Sequence, residues 1–181
     1  LTYGKTIIPY AVNSWQKSWS VIDRMRRGKR VIVPGDGTSL WVVTHNTDFA
    51  KGIVGLMGLK EAVGEAFHIT TDEVLTWDVI ALEIGAAIGT KPELVHISSD
   101  FIAAFMPDQL GNLTGDKSTS VVFDNSKIRE LVPDYVATVP FSRGVEECIA
   151  WLDAEPGRGD VDPGKEAMMD KIITAYERAW A

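Results

Sequence analysis

Two glycines and an aspartate between apolar runs form the first pattern in this sequence that could do chemistry. Residues 31–41 read VIVPGDGTSLW, and glycine-rich loops of this kind can cradle phosphate groups. A dinucleotide fingerprint needs G-x-G-x-x-G leading into a helix, but Leu40 replaces the third glycine and strand-type residues follow. A P-loop needs G-K-[ST], which is absent. The segment therefore predicts a hairpin turn, because glycine accepts the positive φ that such turns require.

Histidines, one cysteine and a serine–lysine pair are the other candidates for catalysis or metal binding. The histidines all end apolar runs: His45, His68 and His96. None has a His, Cys or Glu three or four residues after it, so packed histidines are favoured over a metal site. Ser14 and Lys17 match S-x-x-K without its companions S-D-N and K-T-G, which makes it a chance match. Cys148 has no second cysteine to pair with and lies on an apolar helical stripe, which predicts a buried thiol.

The composition limits the class of protein. The 181 residues are 45% hydrophobic and carry a net charge of −7, which is typical of a globular domain and opposes a nucleic-acid partner. The basic cluster RMRRGKR, residues 24–30, follows an apolar stripe and predicts a solvated last helical turn. Neither a membrane-length apolar stretch nor a signal pattern is found, so we expect no membrane partner and a cytoplasmic location.

Helices and short strands alternate and predict a mixed α/β (α+β) fold. The apolar helical stripes are Trp19, Ile22 and Met25; Phe49, Ile53 and Met57; Trp77, Ile80, Ile84 and Ala87; Val145, Cys148, Ile149 and Leu152; and Met169, Ile172, Ile173, Tyr176 and Trp180. Thr76, Asp124 and Ser142 are the expected N-caps of three helices, of which the second ends at Leu131 before Pro133. Strands are expected at residues 31–33, 40–43, 66–69, 94–97 and 121–123.

A stretch rich in Pro, Gly and Asp divides the chain. DAEPGRGDVDPGK, residues 153–165, is typical of a linker. We therefore expect one domain over residues 1–152 and a separate amphipathic helix over residues 166–181. The chain opens on Leu1 in the mixed apolar stretch LTYGKTIIPY rather than on Met, so we expect it to be cut from something longer.

Seven segments, in their order, resemble a known family. They are TYG (2–4), IIP (7–9), GKRVIVPGDGTSLW (28–41), THNTDFAKGIVGLMG (44–58), GEAFHITTDEVLTW (64–77), VVFDNSKIRELVPDY (121–135) and GVEECIAWL (144–152). Over about residues 1–152 they resemble the C-terminal half of an extended short-chain dehydrogenase/reductase, the NAD-dependent epimerase/dehydratase family. The resemblance implies a small substrate-binding domain of helices with short strands and a hairpin, lacking the Rossmann domain that binds NAD or NADP in the family.

The resemblance also implies which residues meet a substrate. In the family the cofactor glycines and the catalytic Ser/Thr and Tyr-x-x-x-Lys precede the TYG segment, and no Tyr of this chain has Lys four residues later. We therefore expect no catalytic, cofactor-binding or metal-binding residue here, and no activity or NAD(P) binding of this chain alone. Substrate contacts are expected from Thr2, Tyr3 and Gly4, and from Trp41 and Lys117.

Trp41 and Lys117 are departures from the family pattern. Trp41 stands where a family arginine meets the phosphates of a sugar nucleotide, and an indole cannot grip a diphosphate as a guanidinium does. The loop at residues 31–41 is then a turn that does not bind phosphate. Trp41 could stack on a sugar or pack in the core, and both alternatives stay open. Lys117 is the cation available near the place of a second family arginine; an exposed loop lysine is favoured over an anion contact.

Two functions fit these expectations. The first is the substrate-binding portion of an NAD(P)-dependent epimerase/dehydratase-type oxidoreductase that acts on a sugar or nucleotide-sugar-like small molecule, with the missing Rossmann domain as its partner. The alternative is a stand-alone, non-catalytic ligand- or protein-binding domain. In the first case the apolar N-terminal side chains would lie beside the absent domain, and the isolated chain would either self-associate through this exposed patch or have the segment disordered. They are Tyr3, Ile7, Ile8, Tyr10 and Trp15.

Overall fold

The computed structural model describes residues 1–12 and 19–179, and these residues confirm the mixed α/β class. The strands are β1 (Thr2–Tyr3), β2 (Val31–Pro34), β3 (Leu40–Trp41), β4 (Thr44–His45), β5 (Leu75–Thr76) and β6 (Leu94–Ile97). The α-helices are α1 (Ser20–Arg26), α2 (Asn46–Leu56), α3 (Trp77–Ala87), α4 (Ser99–Phe105), α5 (Leu110–Asn112), α6 (Ser126–Leu131), α7 (Phe141–Asp153) and α8 (Pro163–Arg178). A π-helical turn, Leu113–Lys117, follows α5, and 3₁₀ turns cover Lys60–Ala62 and Pro107–Gln109. Within the described ranges no helix is long and apolar enough to cross a bilayer.

The strands pair with partners distant in sequence, and the predicted hairpin is wrong. β2 is parallel to β6, β1 is parallel to β4, and β3 is antiparallel to β5. The loop after β2 does turn on glycines, with φ of 67° at Gly35 and 78° at Gly37. It passes the chain from one sheet to another, because all of β2 is buried and takes its partner from the later strand β6.

Four of the five predicted apolar stripes face the main core. The side chains they bury include Trp19, Ile22, Trp77, Ile80, Ile84, Val145, Ile149 and Ile172. Thr76 caps α3 as predicted, since its Oγ1 accepts a hydrogen bond from the N–H of Val79 at 3.2 Å. Ser142 is not a cap, because α7 begins at Phe141. Trp180 lies outside the described residues, as do Ser14 and Lys17.

Helix α2 differs from its prediction. Ile53 and Met57 are 40% and 71% exposed, whereas Asp48 and Gly52 are buried. A Cβ at Gly52 would lie 2.4 Å from Cγ2 of Ile69, so the helix approaches a second, smaller core closely at its glycine, and Phe49 is the member of the predicted stripe that packs against this core. That core is formed by Ile69, Ile128 and Tyr135.

Two predicted strands are absent from the described secondary structure, at residues 66–69 and 121–123. The residues that follow these two segments are joined to each other by the side chain of Asn125 instead of by strand pairing. Asn125, at the N-cap position of α6 predicted for Asp124, accepts from the N–H of Thr70 at 3.1 Å and donates to the carbonyl of Thr70 at 3.0 Å. An asparagine that satisfies backbone groups in this way replaces the regular pairing that apolar composition predicts.

The N-terminal segment is part of the domain's own interior. Tyr3, Ile8 and Tyr10 are at most 8% exposed, and the Tyr10 hydroxyl donates to the carbonyl of Ile32 at 2.9 Å. The expected exposed N-terminal patch is therefore wrong for these residues, and Trp15 lies outside the described ranges. The segment is buried rather than exposed because its apolar side chains pack into the main core of this chain.

Helix α8 is joined to the same core, and it neutralises the basic cluster. It begins at Pro163, where Asp162 caps it by accepting from the N–H of Gly164 at 2.9 Å. Arg24 was expected in a solvated turn, but it is 1% exposed and donates to Glu166 and Asp170 of α8 at 3.1 and 2.8 Å. For Arg24 the prediction is wrong because the apolar face of α8 brings its carboxylates onto α1, whereas Arg26 and Arg27 at the end of α1 are exposed as predicted.

Candidate substrate-binding site

The segment predicted to contact substrate, residues 2–4, lies between β4 and α7. Tyr3 is opposite His45 in the parallel pair, with ring centroids 5.4 Å apart, and it also meets Phe141 at 5.7 Å. A Cβ at Gly144 of α7 would lie 1.9 Å from the Tyr3 hydroxyl oxygen. The Tyr3 ring therefore points into the domain, while Thr2 is exposed and Gly4 half-buried at its surface.

Tyr3 and His45 both carry a buried polar atom without a hydrogen bond among the described residues. These atoms are the Tyr3 hydroxyl oxygen and His45 Nε2. Burial, with a smaller effect of the thiol and carboxylates nearby, raises the pKa of Tyr3. His45 Nδ1 lies 2.7 Å from Thr47 Oγ1, and its Nε2 lies 3.5 Å from a carboxylate oxygen of Glu147. Neither ring is arranged as an exposed proton donor or acceptor.

Cys148 is confirmed as a buried thiol. It is 0% exposed, and its Sγ lies 3.6 Å from the carbonyl oxygens of both Gly4 and Ile7. Burial raises the pKa of Cys148 to about 12, so the thiol stays protonated near neutral pH. Its contacts hold the loop after β1 against α7.

The structure brings Trp41 and Lys117 together. Lys117 Nζ lies 4.1 Å from the centroid of the Trp41 ring, which is within the range of a cation–π contact. Trp77 also packs against Trp41, with centroids 5.4 Å apart, and its Nε1–H donates to the Lys117 carbonyl at 3.1 Å. Trp41 is 5% exposed. This burial favours the core alternative for Trp41 over stacking on a sugar.

Lys117 is not the exposed loop lysine that the sequence favours. It is 6% exposed, because the π-helical turn winds its side chain inward over Trp41. Its ammonium makes a close ion pair with Asp116, whose side chain is 49% exposed. The group that this part of the chain shows to solvent is therefore the Asp116 carboxylate rather than the cation.

The glycine-rich loop is closed by its own side chains. Asp36 Oδ1 accepts from the N–H and the hydroxyl of Thr38 at 3.0 and 2.7 Å, and these bonds lower the pKa of Asp36. Near Gly37, His96 Nε2 lies 2.8 Å from Asp78 Oδ1, and the N–H of Asp78 donates to the Gly37 carbonyl. The loop also leads into β3 rather than a helix, so this loop lacks the helix N-terminus on which a dinucleotide pyrophosphate lies.

The histidines remain apart in the described part of the chain. No group of three or more His, Cys, Asp or Glu side chains there could hold a metal ion. His45 packs against Tyr3, His68 lies 4.9 Å from Phe123, and His96 pairs with Asp78. Each has a structural partner, as strand-end histidines usually do.

Comparison with curated proteins gives a short match, and no protein-family model matches the chain. Over 74 residues the chain is 30% identical to the chloroplast stem-loop binding protein of 41 kDa b of Arabidopsis thaliana. The match covers 40% of this chain and 20% of that protein.

Comparison with solved structures identifies the fold. The chain superposes on an epimerase from Methanothermobacter thermautotrophicus with a TM-score of 0.65 and 18% identity, covering 84% of this chain and 40% of that one. The dTDP-glucose 4,6-dehydratase of Bacillus anthracis, in complex with NAD, gives 0.61 and 18%, covering 87% and 44%. The UDP-glucuronic acid 4-epimerase of Bacillus cereus, with UDP-glucuronic acid and NAD, gives 0.57 and 21%, covering 74% and 38%.

The chain thus has the fold of the C-terminal half of short-chain dehydrogenase-type epimerases and dehydratases, which confirms the resemblance at the level of the fold. It spans between 38% and 44% of the length of these three structures. Fold likeness at such identity does not carry their activities over to this chain.

Sequence reasoning missed two residues that shape this site. Asp116 stands directly before Lys117, and the adjacent opposite charges were a signal that the lysine is not free. Gly144 stands one helical turn before Cys148 on the buried face of α7, and a glycine on an apolar stripe signals close approach of another group.

Proposed function

We propose that this chain is the substrate-binding portion of an NAD(P)-dependent epimerase/dehydratase-type oxidoreductase in the cytoplasm, and that its substrate is a sugar-like small molecule. The observation that carries the proposal is the fold match, which extends over 84% of this chain and 40% of an epimerase. Two further neighbours, an epimerase and a dehydratase, are complexes with NAD. Of the residues predicted to contact substrate, Thr2 and Gly4 lie at the domain surface and are assigned substrate contacts, whereas Tyr3, Trp41 and Lys117 are buried.

The arrangement of the chain supports a binding role without chemistry of its own. Tyr3 is the tyrosine among the residues predicted to contact substrate, yet its hydroxyl is buried and its pKa is raised by that burial. A general base must reach the proton that it removes and titrate near the working pH. In the proposed function, hydride transfer and proton transfer are assigned to the cofactor and residues of the rest of the enzyme, and this chain positions the substrate.

The alternative is a stand-alone binding domain, and one observation favours it. The curated relative that matches 74 residues is named for binding a stem-loop. Against a nucleic-acid ligand stand the net charge of −7 and the pairing of the basic cluster with acidic residues. Phosphate backbones are bound by unpaired Lys and Arg gathered on one surface, and the cluster at residues 24–30 is largely neutralised by α8.

The experiment is to read the gene upstream of the Leu1 codon and to titrate NAD and NADP into both the full-length product and this chain. We expect an upstream strand–turn–helix rich in glycine and a Tyr-x-x-x-Lys motif, with dinucleotide binding by the full-length product alone. An upstream region without these motifs, or a full-length product that binds no dinucleotide, contradicts the proposal.

A stem-loop oligonucleotide titrated at two salt concentrations separates the alternative. Specific binding to nucleic acid weakens steeply as salt rises, because counterions are released from the phosphates. We expect no saturable binding of the oligonucleotide at either concentration. Saturable binding with a steep salt dependence, in a product that binds no NAD, would favour the stand-alone domain.

A further inference from the structure

Large apolar side chains project from the outer side of helix α2 and from the turn that follows it. Among the described residues, the three most exposed of this kind are Val63, Met57 and Val54, at 80%, 71% and 66%. Together with Ile53, which is 40% exposed, they are here called the α2 surface. A groove of about 420 Å³ opens beside them and is lined by seven apolar residues and Glu65.

Helix α2 is apolar on two sides. On its inner side it comes close to its own domain at two glycines, since a Cβ at Gly52 would lie 2.4 Å from Ile69 and a Cβ at Gly55 would lie 2.5 Å from Val132. Its outer side carries the α2 surface, where a helix that faces solvent has polar side chains. A helix that is apolar on both sides is typical of one packed between two layers of structure.

The charges around the α2 surface cancel. Glu65 pairs with Lys127 at 2.7 Å, at the edge of the groove. The other charged side chains of residues 46–65 are Asp48 and Lys51, which pair at 2.6 Å, and the adjacent exposed Lys60 and Glu61. A small ligand is held by a concave site that encloses it, whereas these side chains project. An exposed apolar surface with balanced charges therefore fits contact with another folded protein surface.

The segment at residues 66–69 borders the groove and has no backbone partner. Its side chains alternate as in a strand, because Ala66 and His68 are exposed whereas Phe67 is half-buried and Ile69 is buried. Phe67 and Ile69 line the groove. Within the described ranges, however, no N–H or C=O group of residues 66–69 takes part in a backbone–backbone hydrogen bond. An open edge of this kind can be completed by a strand from a partner.

The start of β1 lies close to the end of this segment. The N–H of Thr44 donates to the Leu1 carbonyl at 2.8 Å, and Oγ1 of Thr44 accepts from the N–H of Thr71 at 3.0 Å. In the proposed function a dinucleotide-binding domain precedes Leu1, so the polypeptide that joins it to this chain passes next to Thr71. More than half of each of the three structural neighbours lies outside the part that this chain covers. The preceding domain is thus the partner positioned to cover the α2 surface.

We propose that the dinucleotide-binding domain of the whole enzyme docks on the α2 surface and supplies backbone partners for residues 66–69. This inference rests on the proposed function, which supplies that domain. It replaces the N-terminal patch expected from the sequence, since Tyr3, Ile8 and Tyr10 are buried in this chain's own core. Docking there places α2 between two layers and buries its outer apolar side chains.

The test is thiol labelling of Val63→Cys in the full-length gene product and in residues 1–181, read by mass spectrometry of the peptide that contains the position. An exposed thiol reacts and a buried thiol does not, so labelling should be at least about tenfold slower in the full-length product. Leu110→Cys is the matched control, because Leu110 is 52% exposed on α5. It should label at the same rate in both proteins within about twofold.

Hydrogen exchange on the same two proteins tests the backbone partners. The amides of residues 66–69 should exchange at least about tenfold more slowly in the full-length product. Equal labelling of Val63→Cys in the two proteins, or equal exchange at residues 66–69, overturns the inference.

Two other outcomes identify a different occupant or a different failure. Slow labelling of Val63→Cys in residues 1–181 that depends on protein concentration overturns the inference, because a second copy of the chain then covers the α2 surface. NAD binding is measured on the same full-length sample. A product that binds NAD and still labels rapidly at Val63→Cys contradicts the docking alone, whereas a product without a dinucleotide-binding domain contradicts the proposed function as well.

Discussion

Replacing Gly144 with alanine is the sharpest test of how α7 holds the segment at residues 2–4. A Cβ at this position would lie 1.9 Å from the Tyr3 hydroxyl oxygen and 2.7 Å from Cζ, whereas ordinary contacts begin at 3.4 Å. The Tyr3 ring would have to move away from α7, but it is packed between His45 and Phe141. Overpacking of this kind costs about 1–3 kcal/mol, and roughly 2–4 °C of Tm accompanies each kcal/mol in a domain of this size.

The assay is thermal and urea unfolding of Gly144→Ala, Tyr3→Phe and the double variant. Tyr3→Phe removes a buried hydroxyl that has no hydrogen bond among the described residues, so it should be neutral or stabilise the fold by up to about 1 kcal/mol. In the double variant the shortest contact is gone but the approach to Cζ remains, so part of the cost of Gly144→Ala should be recovered. Direct contact predicts a coupling energy of at least about 0.5 kcal/mol.

Gly111→Ala is the matched control, because nothing lies within 4 Å of a Cβ there and its φ is not positive. It should be neutral or stabilise the fold by a few tenths of a kcal/mol, since it lowers the entropy of the unfolded chain. If Gly144→Ala unfolds like this control, or if the two site substitutions are additive, Tyr3 does not pack on α7 and the geometry argued for residues 2–4 is wrong.

Two further predictions concern buried charges. Asp48 accepts hydrogen bonds from the N–H groups of Thr138 and Val139 at 3.0 and 2.8 Å. Burial alone would raise the pKa of Asp48, but the hydrogen bonds from Lys51 and from these two N–H groups have the larger effect together, and the pKa lies below its ordinary value. The ionised Asp48 therefore stabilises the fold fully above the unfolded pKa of about 4, and this stabilisation is lost as the pH falls through the lower folded pKa. Asp48→Ala should lower the free energy of unfolding by about 2–4 kcal/mol at pH 7 and by less at pH 3, as measured by urea unfolding. Arg24→Ala should cost about 2–3 kcal/mol, because the Arg30 carbonyl loses two donors and the buried Glu166 keeps only the pair with Arg27. Arg26→Ala, from an exposed pair with Asp153, should cost less than about 1 kcal/mol in the same unfolding assay.

Elements with an unambiguous apolar period could be predicted from the sequence. α3 is an example, since Trp77, Ile80 and Ile84 lie on one face and Thr76 precedes them with a cap. The buried face of α2 could not be predicted, because Gly52 and Asp48 face inward although neither is part of the pattern of large apolar residues. Gly52 permits close approach, and Asp48 satisfies backbone donors about 90 residues away in sequence.

Long-range pairing explains the remaining errors. The two strands that flank the glycine turn look like a hairpin because they are adjacent, yet β2 pairs with β6 and β3 with β5. Arg24 looks like a solvated cation because its partners, Glu166 and Asp170, lie more than 140 residues away. Local sequence indicates which secondary structure a segment favours, but it does not show which distant residues pack around a given side chain.

The same limit applies to the candidate site and defines what its side chains can recognise. From its residue type alone, Lys117 is a cation that an anionic ligand could reach. In the structure its ammonium is not accessible, because it is paired with Asp116 and lies over the ring of Trp41. The fold is shared with epimerases and dehydratases whose bound ligands include a UDP-sugar, whereas ligand specificity in any fold depends on a few side chains. In the Asp116–Lys117 pair the carboxylate, with 49% of its side chain exposed, is the group that solvent reaches, and the ammonium with 7% is not. The charge that a residue presents is therefore decided by its neighbours in space, which the type of the residue does not reveal.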